Sequence, residues 1–196
     1  MSLILDGTNG ETFPSWTTAT RPASPATGQV GMNTTIGSLE AYNGTSWQQF
    51  TNGPAFSATL PSTQSITSTT WTKVQLSTET FDTASCFNNT GSTVGGIPAY
   101  AFLPNVAGYY QINGSVYGQA TSTQNIQASI YKNGAQYSWA VSAPQGLANA
   151  TPTMATVIYL NGSTDYVELY GFVNGTSPQI NGNVATMFSG CLVRAA

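Results

Sequence analysis

The stretch Ala99–Gln119 constrains this chain more than any other. Within it Tyr110, Ile112, Gly114 and Val116 alternate with Tyr109, Gln111, Asn113, Ser115 and Tyr117. Successive side chains of a strand point to opposite sides, so a period of two marks a strand with two different faces. Phe102 closes the strand before it, and Pro104–Gly108 forms the break between them. The theme of strand, turn and strand then recurs. Asn-Gly occurs eight times in 196 residues. That pair suits the positive φ values of type I′ hairpins, so many tight antiparallel connections are predicted. No stretch shows a competing helical period, and an all-β sandwich or jelly roll follows.

Asn52-Gly53-Pro54 divides the chain into residues 1–52 and residues 53–196. The first part carries Pro14, Pro22 and Pro25 between short apolar pieces. Leu39–Tyr42, Asn43-Gly44-Thr45-Ser46 and Trp47–Phe50 read as a hairpin within an otherwise extended arm. This arm has too few apolar side chains for a core of its own, so it is expected to fold against a partner or another copy. In the second part, Phe56–Leu60 and Trp71–Leu76 alternate. Residues 83–98 and 143–152 read as loops. Ile126–Tyr131 and Gln136–Trp139 flank Asn133-Gly134, and Met154–Leu160 is expected to pair with Tyr166–Phe172 through Asn161-Gly162. Met187–Val193 is a final apolar strand.

Only 6% of residues are charged, against ~25% in an ordinary soluble protein. Hydrophobic content is ordinary, so the deficit signals an uncharged surface and not disorder. Arg21, Lys73, Lys132 and Arg194 are scattered, which argues against nucleic acid and against anionic membrane surfaces. No apolar run approaches the ~18 residues of a membrane-spanning helix. Met1–Asp6 is too short, and lacks the basic residues, for a secretory signal.

Histidine is absent, which removes the commonest catalytic base and metal ligand. A glycosidase would need two facing carboxylates. Glu79 with Asp82, or Asp165 with Glu168, are the nearest pairs, and both read as solvated rim charges. No acidic cluster calls for calcium, and no cofactor is implied. Cys86 and Cys191 read as small buried hydrophobes, with a disulfide left open. The tyrosines and Trp139 read as fillers of sheet faces, with sugar binding as the rival role.

Two resemblances add to this. Thr20–Trp47 runs Arg21-Pro22, Pro25-Ala26-Thr27-Gly28, Asn33-Thr34-Thr35-Ile36-Gly37, then Tyr42-Asn43-Gly44 and Trp47. It resembles a small module of tailed-phage virion proteins, which brings no catalytic residues. Phe81-Asp82, Phe102-Leu103-Pro104 through Gly108-Tyr109-Tyr110, Tyr131-Lys132-Asn133-Gly134, Gly162-Ser163-Thr164-Asp165-Tyr166-Val167 and Phe188-Ser189-Gly190-Cys191-Leu192 follow in order. That series is similar to the C1q/tumour-necrosis-factor-like jelly roll, although two residues separate the Gly and Asp of the fourth motif. The resemblance implies a sandwich that assembles as a tight trimer.

Together these readings predict a non-enzymatic virion protein, exposed on the outside of a phage particle. The expected form is a trimeric capsid decoration, or cement, protein whose arm clamps major capsid subunits or another virion protein. Nothing between Phe50 and Phe56 could form a fibre shaft, which favours cement. The alternative is the receptor-binding knob of a tail fibre or tail tip, with a host surface glycan as its partner. Phe13, Trp16, Tyr42 and Trp47 are the expected anchoring or packing residues of the arm.

Overall fold

Alternation between Tyr109 and Tyr117 becomes alternation of environment. In the computed structural model, which describes residues 12–50, 53–142 and 148–196, Tyr110, Ile112 and Val116 are buried and Tyr109 is exposed. The chain divides into two compact units, Met1–Asn52 and Gly53–Ala196.

The first unit contains β1 (Ser15–Trp16), β2 (Val30–Asn33), β3 (Ser38–Tyr42) and β4 (Trp47–Gln49). They form one sheet in the order β1-β2-β3-β4. The expected hairpin is β3–β4, with Tyr42 opposite Trp47. Asn43 Oδ1 accepts from the backbone N–H groups of Thr45 and Ser46, at 2.9 and 2.8 Å, which sets the turn. An extended arm is too little, however. β1 adds to β2 in parallel, and the Pro14 and Trp16 carbonyls accept from Met32 N and Thr34 N. A two-residue strand is too short to show any alternation in sequence.

The second unit begins with β5 (Ala55–Leu60), β6 (Gln64–Ser65), β7 (Thr72–Lys73), β8 (Thr78–Asp82), β9 (Phe87–Asn88) and β10 (Ala101–Phe102). It continues with β11 (Gly108–Ser115), β12 (Gly118–Lys132), β13 (Ala135–Ser142) and β14 (Asn149–Ala150). β15 (Thr153–Leu160), β16 (Val167–Ile180) and β17 (Asn183–Ala195) complete it. One sheet runs β15-β11-β17-β5-β8. The other runs β13-β12-β16-β10-β9, with β14 on β12 and with β6 and β7 on β16. The inner faces meet in an aromatic core. Phe56 stacks on Phe102 at 4.3 Å and on Phe87 at 5.0 Å, and Phe188 meets it edge-on at 5.1 Å.

Several expectations need correction. Met154–Leu160 and Tyr166–Phe172 are not a hairpin: β15 pairs with β11 and β16 pairs with β12, so Asn161-Gly162 carries the chain from one sheet to the other. Asn113-Gly114 and Asn174-Gly175 lie inside strands. A Cβ on Gly114 would sit 2.7 Å from Leu169 Cδ1, so that glycine serves close approach of the sheets and not a turn. Only Thr72–Lys73 of the Trp71–Leu76 run joins a sheet. The expected loop at 83–98 contains β9, and the rest of it is pinned by side chains. Asp82 accepts from Ala84 N and Phe87 N, and the Asn88 amide donates to the carbonyls of Ser92, Ile97 and Pro98. The second expected loop lies partly outside the described residues, and β14 occupies Asn149–Ala150. Both cysteines are free, and Cys191 is exposed where a buried side chain was expected.

Candidate functional site

In the first unit, strand alternation places Trp16, Asn33, Glu40, Tyr42 and Trp47 on one side of the sheet. Trp16 and Trp47 meet at 4.9 Å, and Tyr42 meets Trp47 at 5.5 Å. Three of the four expected arm residues therefore pack together. Phe13 is exposed and makes no ring contact with them. Beneath the rings lies a group that sequence reasoning missed. The Glu40 carboxylate, at 0% exposure, accepts from Trp16 Nε1 at 2.5 Å, Arg21 Nε at 2.8 Å, Arg21 Nη2 at 2.7 Å and Asn33 Nδ2 at 3.2 Å. The Arg21 hydrogen bonds hold its carboxyl below the usual carboxylate range against the opposing effect of burial. The same contacts raise the Arg21 pKa. Gly31 leaves room for the Trp16 ring, which a Cβ there would strike. Three residues, two on neighbouring strands and one in a connecting segment, thus converge on one anion. The opposite side of the sheet carries Val30, Met32, Leu39 and Ala41, all half-buried.

In the second unit, the outer face of the five-stranded sheet is one candidate surface. Tyr159, Tyr109 and Arg194 lie in one cross-strand row, with the two tyrosine rings 5.6 Å apart. The next row is Val157, Gln111, Cys191 and Ala55, and the next ends in Ser57 and Phe81. Tyr109, Tyr159, Val157, Val193 and Phe81 are all exposed. Arg194 is the only charge in these rows.

The eight-stranded sheet presents a different outer face. Tyr131 stacks on Tyr170 at 3.9 Å, and Trp71 meets Phe172 at 5.4 Å. Glu168 is buried there and paired with Lys73, whose Nζ also donates to the Ala99 carbonyl at 3.2 Å. Glu168 is therefore not a solvated rim charge as expected, because Lys73 supplies a counter-ion inside the aromatic cover. Burial, and then the Glu168 charge, push the Tyr170 hydroxyl up to about 12. Asp165 pairs with Lys132 at 2.9 Å. Burial opposes its ionisation, but hydrogen bonds from Asn133 and Lys132 outweigh this and lower its pKa. On the edge strand β13, Tyr137, Trp139 and Val141 are exposed.

A cavity of about 380 Å³ lies beside β8, between that strand and the pinned segment. Glu79 and Asp82 share it with Phe87, Val94 and Ile97. Among the described residues, no three His, Cys, Asp or Glu side chains form a group that could hold a metal ion.

No protein-family model matches the chain, and no curated protein matches it in sequence. Solved structures do resemble it. The globular domain of zebrafish complement 1qA protein is 14% identical with a TM-score of 0.52, over 73% of this chain and 99% of that one. Murine APRIL at pH 5.0 is 10% identical with a TM-score of 0.53, over 72% of this chain and 99% of that one. Eiger TNF from S. frugiperda is 9% identical with a TM-score of 0.53, over 74% and 96%. At such identities the likeness speaks for fold alone, and the fold is a C1q/TNF-like jelly roll.

Proposed function

We propose that this chain is a non-catalytic structural protein of a tailed-phage particle that works as a homotrimer. The observation that carries the trimer is the outer face of the five-stranded sheet. Tyr109, Tyr159 and Val157 crowd its β15–β11 side, and Phe81 stands on its β8 side. Two different patches on one protomer make a head-to-tail contact, and such a contact closes into a ring when the rotation permits. Tyrosine and arginine dominate the centres of protein interfaces, as in the row Tyr159–Tyr109–Arg194.

The Thr20–Trp47 motif supports the phage assignment. A trimer carries three copies of the first unit, each with the half-buried apolar row Val30, Met32, Leu39 and Ala41. Three weak contacts on one body act as one strong one through effective concentration. This suits a decoration protein that clamps neighbouring capsid subunits. Exposed Tyr137 and Trp139 favour the second reading, a receptor-binding knob that stacks aromatic rings on a host glycan.

Multi-angle light scattering at micromolar concentration tests the trimer. A species of three times the 20.5 kDa chain mass is expected, and a monomer would overturn the reading. Cys191, in the middle of the proposed face, should react with maleimide more slowly as concentration rises. Particle copy number separates the two roles: hundreds of copies for cement, tens or fewer for a knob. Particles should also fail to retain a chain lacking residues 1–52.

A further inference from the structure

The sparse charges of this chain leave a remainder. Among the described residues, Arg21 pairs with Glu40, Lys73 with Glu168 and Lys132 with Asp165. One cation, Arg194, and two carboxylates, Glu79 and Asp82, are left without an ion-pair partner. Both carboxylates line the cavity beside β8.

We infer that Arg194 of one protomer enters the Glu79–Asp82 cavity of the next protomer in the ring. This rests on the trimer reading above. Arg194 stands in the exposed row with Tyr109 and Tyr159. Within its own protomer it is remote from the cavity. β17 and β8 are separated by β5, which is about 10 Å across the sheet, and Asp82 is level with Gly190, about 13 Å along the strand. Asp82 and Glu79 lie opposite the core residues Phe56 and Ala58, so the cavity lies at the β8 edge of the sheet, where a neighbour that reaches round that edge would meet it.

The cavity suits a guanidinium better than a metal ion. Phe87, Val94 and Ile97 give apolar walls for the flat head and alkyl stem of arginine. Asp82 is already oriented by two backbone donors, at 3.1 Å from Ala84 N and 2.6 Å from Phe87 N. A calcium ion would want at least about six oxygen ligands, and these two carboxylates fall far short. Glu79 is exposed, and among the described residues its side chain makes no hydrogen bond or ion pair, so it is the free acceptor.

The test is a charge swap in the full chain, read as the trimer dissociation constant by sedimentation. Arg194→Glu and Glu79→Arg should each weaken the trimer about tenfold or more. The double variant Arg194→Glu/Glu79→Arg should return it to within about threefold of the unmodified chain. Raising salt to 1 M, where the Debye length falls to ~3 Å, should weaken the unmodified trimer and leave an Arg194→Ala trimer nearly unmoved. Both sites are at the surface, so unchanged circular dichroism is expected throughout. A trimer indifferent to both single variants, or a double variant weaker than either, would overturn the pairing and leave the trimer standing. A monomeric unmodified chain would overturn both.

Discussion

In the sandwich, Phe56, Phe102, Phe87 and Phe188 meet ring to ring with no polar group among them. In the N-terminal sheet the corresponding place is held by the Glu40 carboxylate and its four nitrogen donors. The difference follows from size. A unit of some 140 residues can bury enough apolar surface to hold itself together, whereas one of about 50 cannot. The smaller unit substitutes a charge network whose partners must all be present, since a buried ion is favourable only when fully satisfied. The two units should therefore fail under different insults.

The largest expected effect tests the apolar side. Phe56→Ala removes a ring that touches three others and should cost the sandwich ~3–5 kcal/mol. Hydrogen exchange should show lost protection in β5, β11 and β17 and unchanged protection in β2 and β3. Glu40→Gln is the mirror experiment. It keeps shape but strands Arg21, and should cost the small sheet ~2–3 kcal/mol, with exchange rising in β2 and β3 alone.

Acid should do the same without mutation. Glu40 has a lowered folded pKa, so its contribution is complete above its unfolded value near ~4.3 and disappears as pH falls through the folded value. Asp165 titrates in the same direction in the sandwich, but it supports only a surface turn. The N-terminal sheet should lose protection first as pH drops below about 4. Simultaneous loss in both units would show that their stabilities are not separable. The smallest effect is at that turn. Asn133 sits at φ 52°, donates to Asp165 Oδ1 and accepts from Tyr166 N. Asn133→Ala should cost ~1–2 kcal/mol, read as a small fall in the sandwich melting temperature.

What could be read from sequence was local. Alternation at Tyr109–Tyr117 located β11 and sorted its faces, and Asn43-Gly44 and Asn133-Gly134 marked real hairpins. The misplaced hairpin at Asn161-Gly162 shows the limit. A dipeptide specifies how the chain bends, but which strand lies alongside is decided by β11 and β12, some tens of residues away. The Glu40 node was hidden for a related reason. Residues 16, 21, 33 and 40 follow no period, and each is unremarkable until the sheet brings them together. Likewise Trp16, Tyr42 and Trp47 stood out as anchoring or packing residues because they are large and apolar, but which of them touch emerged only with the sheet.

One further consequence lies in the position of β17, which occupies the centre of its sheet between β11 and β5. β5 can pair with β8 early in synthesis, but its other neighbour is available only after β17 has left the ribosome. In the first unit the described strands pair with neighbours close by in the chain, so that sheet can form while synthesis continues. Closure of the second must wait, which makes it slow and dependent on completion of β17. A product that stops short of that strand presents two bare edges, on β11 and β5, where a keystone belongs.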